Sequence, residues 1–338
     1  MSQASPIRVS FVIPVRNDAI RLRRCLESIN RCDYPHNLVE CIVADNGSTD
    51  NTPDAARAMG ATTLSIPDLP VSAVRNRAAA SASGTLLAFV DADHEIGPAW
   101  IAAAVDGLSE STIGAVGALC LPPPDGTPVQ KMYGVLRGRT IGRNDTTWLG
   151  SGNLVIRRDI FVRLGGFDEQ LETCEDVDLC QRLRATGSRL VADERMINIH
   201  LGDPASLRSV FTSERWRGRD NLRVSLRRTP ALRDWPSIVI PVFGALALVA
   251  GAAGAVGALY WGWPSLAVAA AALASLLGLT VLRTIRMVAS GGLRRPDDLM
   301  LAFGVALAYD LGRAYSLILP AGHRQRQKAE PQQSGTPA

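Results

Sequence analysis

The first half of the chain alternates short apolar runs with amphipathic segments. Residues 7–15 form an apolar run containing Pro14. The segment after it has apolar positions at Ile20, Leu22, Leu26 and Ile29 and polar ones at Arg21, Arg23, Arg24 and Glu27. That is a strand followed by an amphipathic helix. A second strand is expected from Val39 to Asp45, then a turn through Asn46-Gly47-Ser48-Thr49-Asp50. Thr49 or Asp50 is placed to cap a helix that begins near Thr52-Pro53. A third strand at 61–66, an alanine-rich helix at 73–83 and a strand at 85–91, apolar from Leu86 to Val90, complete the alternation. Strands and helices in this order predict a mainly parallel sheet covered on both faces. In such sheets ligands sit beyond the carboxyl ends of the strands. Pro14–Asn17, Asp45–Ser48 and Asp91–Asp93 fall at three such ends, so three loops should meet in one crevice.

The middle of the chain is less regular. Pro122-Pro123-Pro124-Asp125-Gly126 interrupts the pattern, and weak periodicity up to Thr147 predicts a flexible segment over the site. Order returns at 148–156, followed by a helix from Arg158 and a turn at Gly165-Gly166-Phe167-Asp168. Another helix opens at Glu175-Asp176-Val177-Asp178. Acidic residues suit a helix N-terminus, so a capping role alone explains part of this cluster, though it is denser than capping requires.

From Trp235 to Leu282 there is no charged residue and no histidine. This run is more than twice the roughly 20 residues that cross a hydrocarbon core of about 30 Å. Tyr260-Trp261-Gly262-Trp263-Pro264 divides it, with aromatic residues suited to the interface, and predicts a transmembrane hairpin near 237–259 and 265–282. Gly244, Ala247, Gly251, Gly254 and Ala255, facing the alanines at 269–272, would let the two backbones approach closely. Arg215, Arg217, Arg219, Arg223, Arg227, Arg228 and Arg233 precede the hairpin, and Arg283, Arg286, Arg294 and Arg295 follow it. The turn has no basic residue, so both ends are expected on the cytoplasmic side. Residues 299–320 are long enough to span but contain Asp310 and Arg313 and precede a basic tail. An interfacial or re-entrant helix is therefore expected there. The basic segment 205–229 could rest on anionic headgroups, or simply be an exposed helix.

Composition narrows the chemistry. The net charge of +4 is mild and points away from a nucleic-acid partner. The six cysteines form no C-x-x-C pair and read as reduced thiols, and the opening run, broken by Arg8 and Ser10, is shorter than expected of a signal peptide's apolar core. Neither a G-x-G-x-x-G nor a P-loop pattern is present, so phosphate binding would rest on a metal and on arginines. Asp91 and Asp93 end the apolar strand. In an extended chain they would point to the same side and could face one Mg²⁺ or Mn²⁺ together. A solvated acidic turn is the alternative for an isolated pair of this kind.

Four blocks together resemble the family 2 glycosyltransferases of GT-A fold. They are Val12-Ile13-Pro14-Val15-Arg16-Asn17, Val43 to Asp50, Arg75-Asn76 leading into Asp91-Ala92-Asp93, and Gly165 to Asp168 with Glu175 to Leu179. The chain departs from the family at Asn46, where a second Asp is more usual, and at Arg77, often Gly. The resemblance implies an α/β, Rossmann-like GT-A domain over 1–203. A basic juxtamembrane segment (204–235), the hairpin (236–283), a loop and interfacial helix (284–321) and a basic, disordered tail (322–338) would follow it. It implies inverting transfer from a nucleoside-diphosphate sugar to a lipid-linked or glycan acceptor, at the plasma (inner) membrane. By the same resemblance Asp93, with Asp91 and His200, would hold the metal, although His200 may equally be structural. Pro14, Asn17, Asp45, Arg75 and Asp91 would line the nucleotide-sugar site. Asp176, paired with Glu175, would be the base, and its helix N-terminus should keep it a weak one. Alternatives are an exopolysaccharide-extending enzyme, a metal-dependent nucleotidyltransferase, or an inactive membrane scaffold.

Overall fold

The computed structural model describes residues 7–227 and 235–319; Arg228, Arg233 and the stretch 322–338 lie outside them. The chain forms two compact units, residues up to 126 with 133–203, and residues 127–132 with 204 onward.

The first unit is built on strands β1 (Val9–Val15), β2 (Val39–Asp45), β3 (Thr62–Ser65), β4 (Leu86–Val90), β6 (Ile113–Gly117), β7 (Arg143–Thr146), β8 (Asn153–Arg157) and β9 (Arg189–Asp193). They make one sheet in the order β3-β2-β1-β4-β8-β6-β9-β7. The four strands from β3 to β4 are mutually parallel. β8 enters antiparallel beside β4. The doubled alternation of a two-sided sheet is visible along single strands. Val9, Phe11, Ile13 and Val15 of β1, with Leu86, Ala88 and Val90 of β4, enter one core. Val12, Leu87 and Phe89 enter the other. Because both faces are covered, these strands read as unbroken apolar runs. Pro14 lies past the last β1–β4 partner pair, Val12 with Phe89, so its missing N–H removes no bond from that ladder.

Helices α1 (Ala19–Asn30) and α4 (Trp100–Ser109) cover the first core, while α3 (Val71–Ala80), α6 (Arg158–Arg163) and α7 (Glu175–Ala185) cover the second. On α1 the buried stripe is Leu22, Cys25, Leu26 and Ile29; Ile20, expected in it, is 60% exposed. Helix α2 (Thr52–Ala58) takes Asn51 as its cap residue, yet Asp50 accepts from the Thr52 N–H at 3.0 Å and so serves the expected purpose from one position earlier. Phe89, Phe161 and Phe167 pack at centroid distances of 5.1, 5.0 and 5.4 Å, each pair adding about 0.5–1.5 kcal/mol beyond area burial.

The segment expected to be flexible is ordered. It holds α5 (Pro128–Arg137) and the strand β7, which pairs with β9 at the sheet edge. Its periodicity is weak because β7 is a polar edge strand, Arg143-Asn144-Asp145-Thr146, a composition that discourages further strand addition. A separate ribbon pairs β5 (His94–Ile96) antiparallel with β10 (Asn198–His200).

The second unit is helical: α8 (Leu207–Arg217), α9 (Asn221–Ser225), α10 (Trp235–Trp261), α11 (Trp263–Gly291) and α12 (Pro296–Ile318). Helices α10, α11 and α12 are each long and apolar enough to cross a membrane. The reversal between α10 and α11 is made by Gly262 alone, at φ 64, a conformation that favours glycine. A Cβ on Gly254 would lie 2.8 Å from the backbone of Ala269 and Ser265, which is the close approach expected of small residues. Ala255 is exposed and takes no part; Gly257, against Ser265, does. Gly244 faces Ala314 of α12. The two charges in the apolar stretch of α12 are paired, Asp310 with Arg283 at 2.7 Å and Arg313 with the buried Glu214 of α8 at 2.7 Å.

Candidate active site

Strand β4 stops at Val90, and the chain turns at once, with the His94 N–H donating to the Asp91 carbonyl at 3.1 Å. That turn breaks the extended geometry which would have aimed Asp91 and Asp93 at one point. Asp91 instead meets Arg75 of α3, with Nη2 to Oδ1 at 2.6 Å. Asp93 turns toward the ribbon, where His94 and His200 are register partners. His94 Nε2 lies 3.7 Å from Asp93 Oδ1 and His200 Nε2 3.3 Å from Asp93 Oδ2.

The outer nitrogens of both rings are engaged. His94 Nδ1 lies 2.7 Å from the Gly152 carbonyl, and His200 Nδ1 lies 2.7 Å from Asp203 Oδ1. With an acceptor beside each Nδ1, a neutral ring keeps its proton there and can offer its Nε2 lone pair to a cation beside Asp93. Two lone pairs and a carboxylate, with ligating atoms within 4.8 Å of one another, form a donor set that fits a divalent cation. The pocket is tight: a Cβ on Gly202 would sit 2.0 Å from Asp93 Oδ2, and one on Gly152 2.4 Å from His94 Cε1. Burial alone would raise the Asp93 carboxyl, yet His200, His94 and Arg21 hold it well below the usual range. Burial opposes the charged form of His200 too, but Asp93 and Asp203 outweigh it and raise that imidazole.

Arg75 is the second organising group. Besides Asp91 it donates from Nη1 to Glu175 Oε1 at 2.7 Å, and its guanidinium lies 5.7 Å from the Phe167 ring centroid. It is 3% exposed and bridges two carboxylates, a structural cation rather than an arginine open to a phosphate. The backbone enters α7 through Cys174 in the left-handed region, φ 62, and delivers Glu175 and Asp176 in succession. Glu175 also accepts from Ser151 Oγ at 3.2 Å. Among the described residues Asp176 accepts from backbone N–H groups, those of Ser151 at 3.3 Å and Val177 at 2.7 Å. Burial, followed by repulsion from Glu175, pushes its carboxyl up to about 7. The helix terminus was expected to keep it low, and desolvation outweighs that effect. Asp178 does serve the helix, pairing with Arg182 at 2.8 Å.

At the ends of β1 and β2 the expected loops meet. Asn17, at φ 51, donates its N–H to Ser48 Oγ at 2.8 Å and accepts from the Thr49 N–H at 2.7 Å. Asp45 is buried and accepts the Ser48 N–H at 3.2 Å. Asn46 donates to the Leu69 carbonyl at 2.9 Å and accepts from the Leu69 N–H at 3.2 Å. An ionised Asp could make only the second bond, which accounts for asparagine here. Arg77 is exposed.

The candidate cation cluster thus brings together Asp93, His94 and His200, while Asp91, also expected in it, pairs with Arg75. Nothing in the sequence but adjacency to Asp93 marked His94, and its partner lies far along the chain. Ser151 and Asp203 also went unmarked; for Asp203 a position three residues after His200 was the only signal.

Among solved structures, the mannosyltransferase PcManGT from Pyrobaculum calidifontis, in complex with GDP-Man and Mn²⁺, shares this fold at a TM-score of 0.57. It is 20% identical and covers 91% of this chain and 88% of its own. The architecture is that of a GT-A glycosyltransferase. The chain is 27% identical over 245 residues to the glycosyltransferase AglE of Haloferax volcanii, covering 67% of this chain and 79% of that protein. It is 32% identical over 223 residues to the O-antigen biosynthesis protein RfbC of Myxococcus xanthus, 57% of this chain but 17% of that longer protein. Residues 10–163 match glycosyl transferase family 2.

Proposed function

We propose that this protein transfers a sugar, with inversion, from a nucleoside-diphosphate sugar to a lipid-linked or membrane-proximal glycan acceptor at the cytoplasmic face of the plasma (inner) membrane. The observation that carries the reading is the tripeptide Gly150-Ser151-Gly152. Its Gly152 carbonyl orients His94 at 2.7 Å while its Ser151 N–H meets Asp176 at 3.3 Å. One short segment therefore touches both the cation site and the raised carboxylate, as a single displacement between donor and acceptor requires.

In this reading Asp93, His94 and His200 hold a divalent ion. When bound, the ion offsets the charge that grows on the departing diphosphate. Two imidazoles favour Mn²⁺ over Mg²⁺, which prefers oxygen ligands and its own waters. Asp176 takes the acceptor hydroxyl proton, and a carboxyl raised to about 7 is matched to that task near neutral pH. Arg75 holds Asp91 and Glu175 so that the donor loop and the acid pair keep a fixed separation. Asp45, Asn17 and Pro14 form the wall that meets the nucleoside. Basic residues flank helices α10 and α11, and the Gly262 turn carries none, which supports the cytoplasmic placement of both ends. Membrane helices and a relative named for O-antigen biosynthesis favour a lipid-linked glycan as acceptor.

The test is a panel of nucleotide sugars offered to purified, detergent-solubilised protein with Mn²⁺, Mg²⁺ or a chelator, scoring nucleotide release and transfer to polyprenyl-linked acceptors. Metal-dependent release from one donor is expected. Pyrophosphate release from a sugar phosphate and a nucleoside triphosphate would replace this reading with nucleotidyl transfer, and inertness toward every donor would remove it.

A further inference from the structure

Asp203 lies behind the cation site, and its setting is unusual for a carboxylate. Its side chain is 0% exposed. One oxygen lies 2.7 Å from His200 Nδ1, and the other pairs with Nη2 of Arg137. Arg137 comes from α5, where its guanidinium rests 4.9 Å from the ring centroid of Tyr133, itself 2% exposed. A chain of contacts thus runs from Tyr133 through Arg137 and Asp203 to His200.

We propose that Arg137 is a positioning residue which, through Asp203, fixes the orientation of His200 and so sets the affinity of the site for its divalent ion. The inference rests on the metal reading of Asp93, His94 and His200. A carboxylate accepting the Nδ1 proton makes the opposite nitrogen a stronger donor to a metal and stops the ring from turning. A carboxylate with no exposure needs a compensating charge beside it. Arginine supplies one that cannot be neutralised, held here by the aromatic face beneath it. Without Arg137, Asp203 would lose the partner that holds it in place, and His200 would lose its anchor. His94 differs, because a backbone carbonyl, that of Gly152, takes the place on its Nδ1 that Asp203 takes on His200.

The measurement is Mn²⁺ binding to the purified, full-length protein in detergent, followed by electron paramagnetic resonance with no donor present. Arg137→Ala and Asp203→Asn are each expected to weaken binding by about 10- to 100-fold. Arg137→Lys keeps the charge without the planar fork and should fall between them and the parent. The double variant should bind no more weakly than the weaker single one, since both act along one path. In transfer assays the metal requirement of Arg137→Ala should rise by the same factor as its Kd, with the rate at saturating Mn²⁺ largely recovered. Parent-like Mn²⁺ affinity in folded Arg137→Ala and Asp203→Asn, alongside loss of binding in His200→Ala, would remove this inference and leave the metal reading intact. A parent protein that binds no Mn²⁺ would remove both. If Arg137→Ala does not fold, parent-like affinity in Arg137→Lys and Asp203→Asn together overturns the proposal.

Discussion

His94 and His200 stand directly opposite each other in the β5–β10 ribbon, with ring centroids 4.5 Å apart. A slip of one residue in that register would replace one of the two rings by a side chain from the other face of the ribbon. The cation site is therefore a product of strand pairing as much as of the acidic motif beside it.

If the ribbon builds the site, His94 matters as much as Asp93. His94→Ala and Asp93→Ala should each lower metal-dependent donor turnover by at least about 100-fold. Gly202→Ala, whose Cβ would fall 2.0 Å from Asp93 Oδ2, should reproduce the defect without removing a ligand. Turnover against Mn²⁺ concentration checks all three; an active His94→Ala variant would exclude that residue from the site.

Asp176 must be ionised to accept a proton. With its carboxyl raised to about 7, transfer should climb with pH through that region and level off above it. Asp176→Asn should fall by roughly 10²-fold or more on the plateau above that region, and lose the rise with pH, while still binding donor. A dead Glu175→Gln beside an active Asp176→Asn would move the role to Glu175.

The same shift has a consequence for stability. Between about pH 4 and 7 the folded state keeps a proton that the unfolded chain has released. The contribution of Asp176 is thus most favourable below that window and is lost as pH rises through about 7. Asp176→Asn should therefore melt higher than the parent at pH 8, by roughly 2–4 °C for each kcal/mol recovered in a domain of this size. At pH 5 the gain should shrink, and thermal melts at the two pH values test it.

Arg75 compensates two carboxylates at once. Arg75→Met leaves Asp91 and Glu175 facing each other without it and should cost about 3–5 kcal/mol. Arg75→Lys should cost less, since an ammonium keeps the charge but not the fork that reaches both. Denaturant midpoints of the detergent-solubilised variants give the order; equal loss in both would mean that charge alone is not what the site requires.

The membrane arrangement is testable with single cysteines in a background lacking the native ones. Trp263→Cys, at the 80% exposed turn, should react with an impermeant thiol reagent in intact cells, and Ser290→Cys should not. The opposite pattern would place the catalytic unit outside.

What the sequence determined by itself is what depends on near neighbours. Alternation along β1 and β4, the loops at the strand ends, the acidic start of α7 and the uncharged run behind α10 and α11 are local patterns. Hydrophobic burial reads them at a period of two or of 3.6 residues. Tertiary structure decided which groups meet. A turn after Val90 separated Asp91 from Asp93, giving the first to Arg75 and the second to two histidines. Spacing along a strand could not reveal this, because the alternation rule fails where the strand ends. The pairing of β5 with β10, and the Arg137–Asp203 contact behind it, join segments far apart in the chain. The raised carboxyl of Asp176 depends on how completely water is excluded from it, and only the packed molecule sets that.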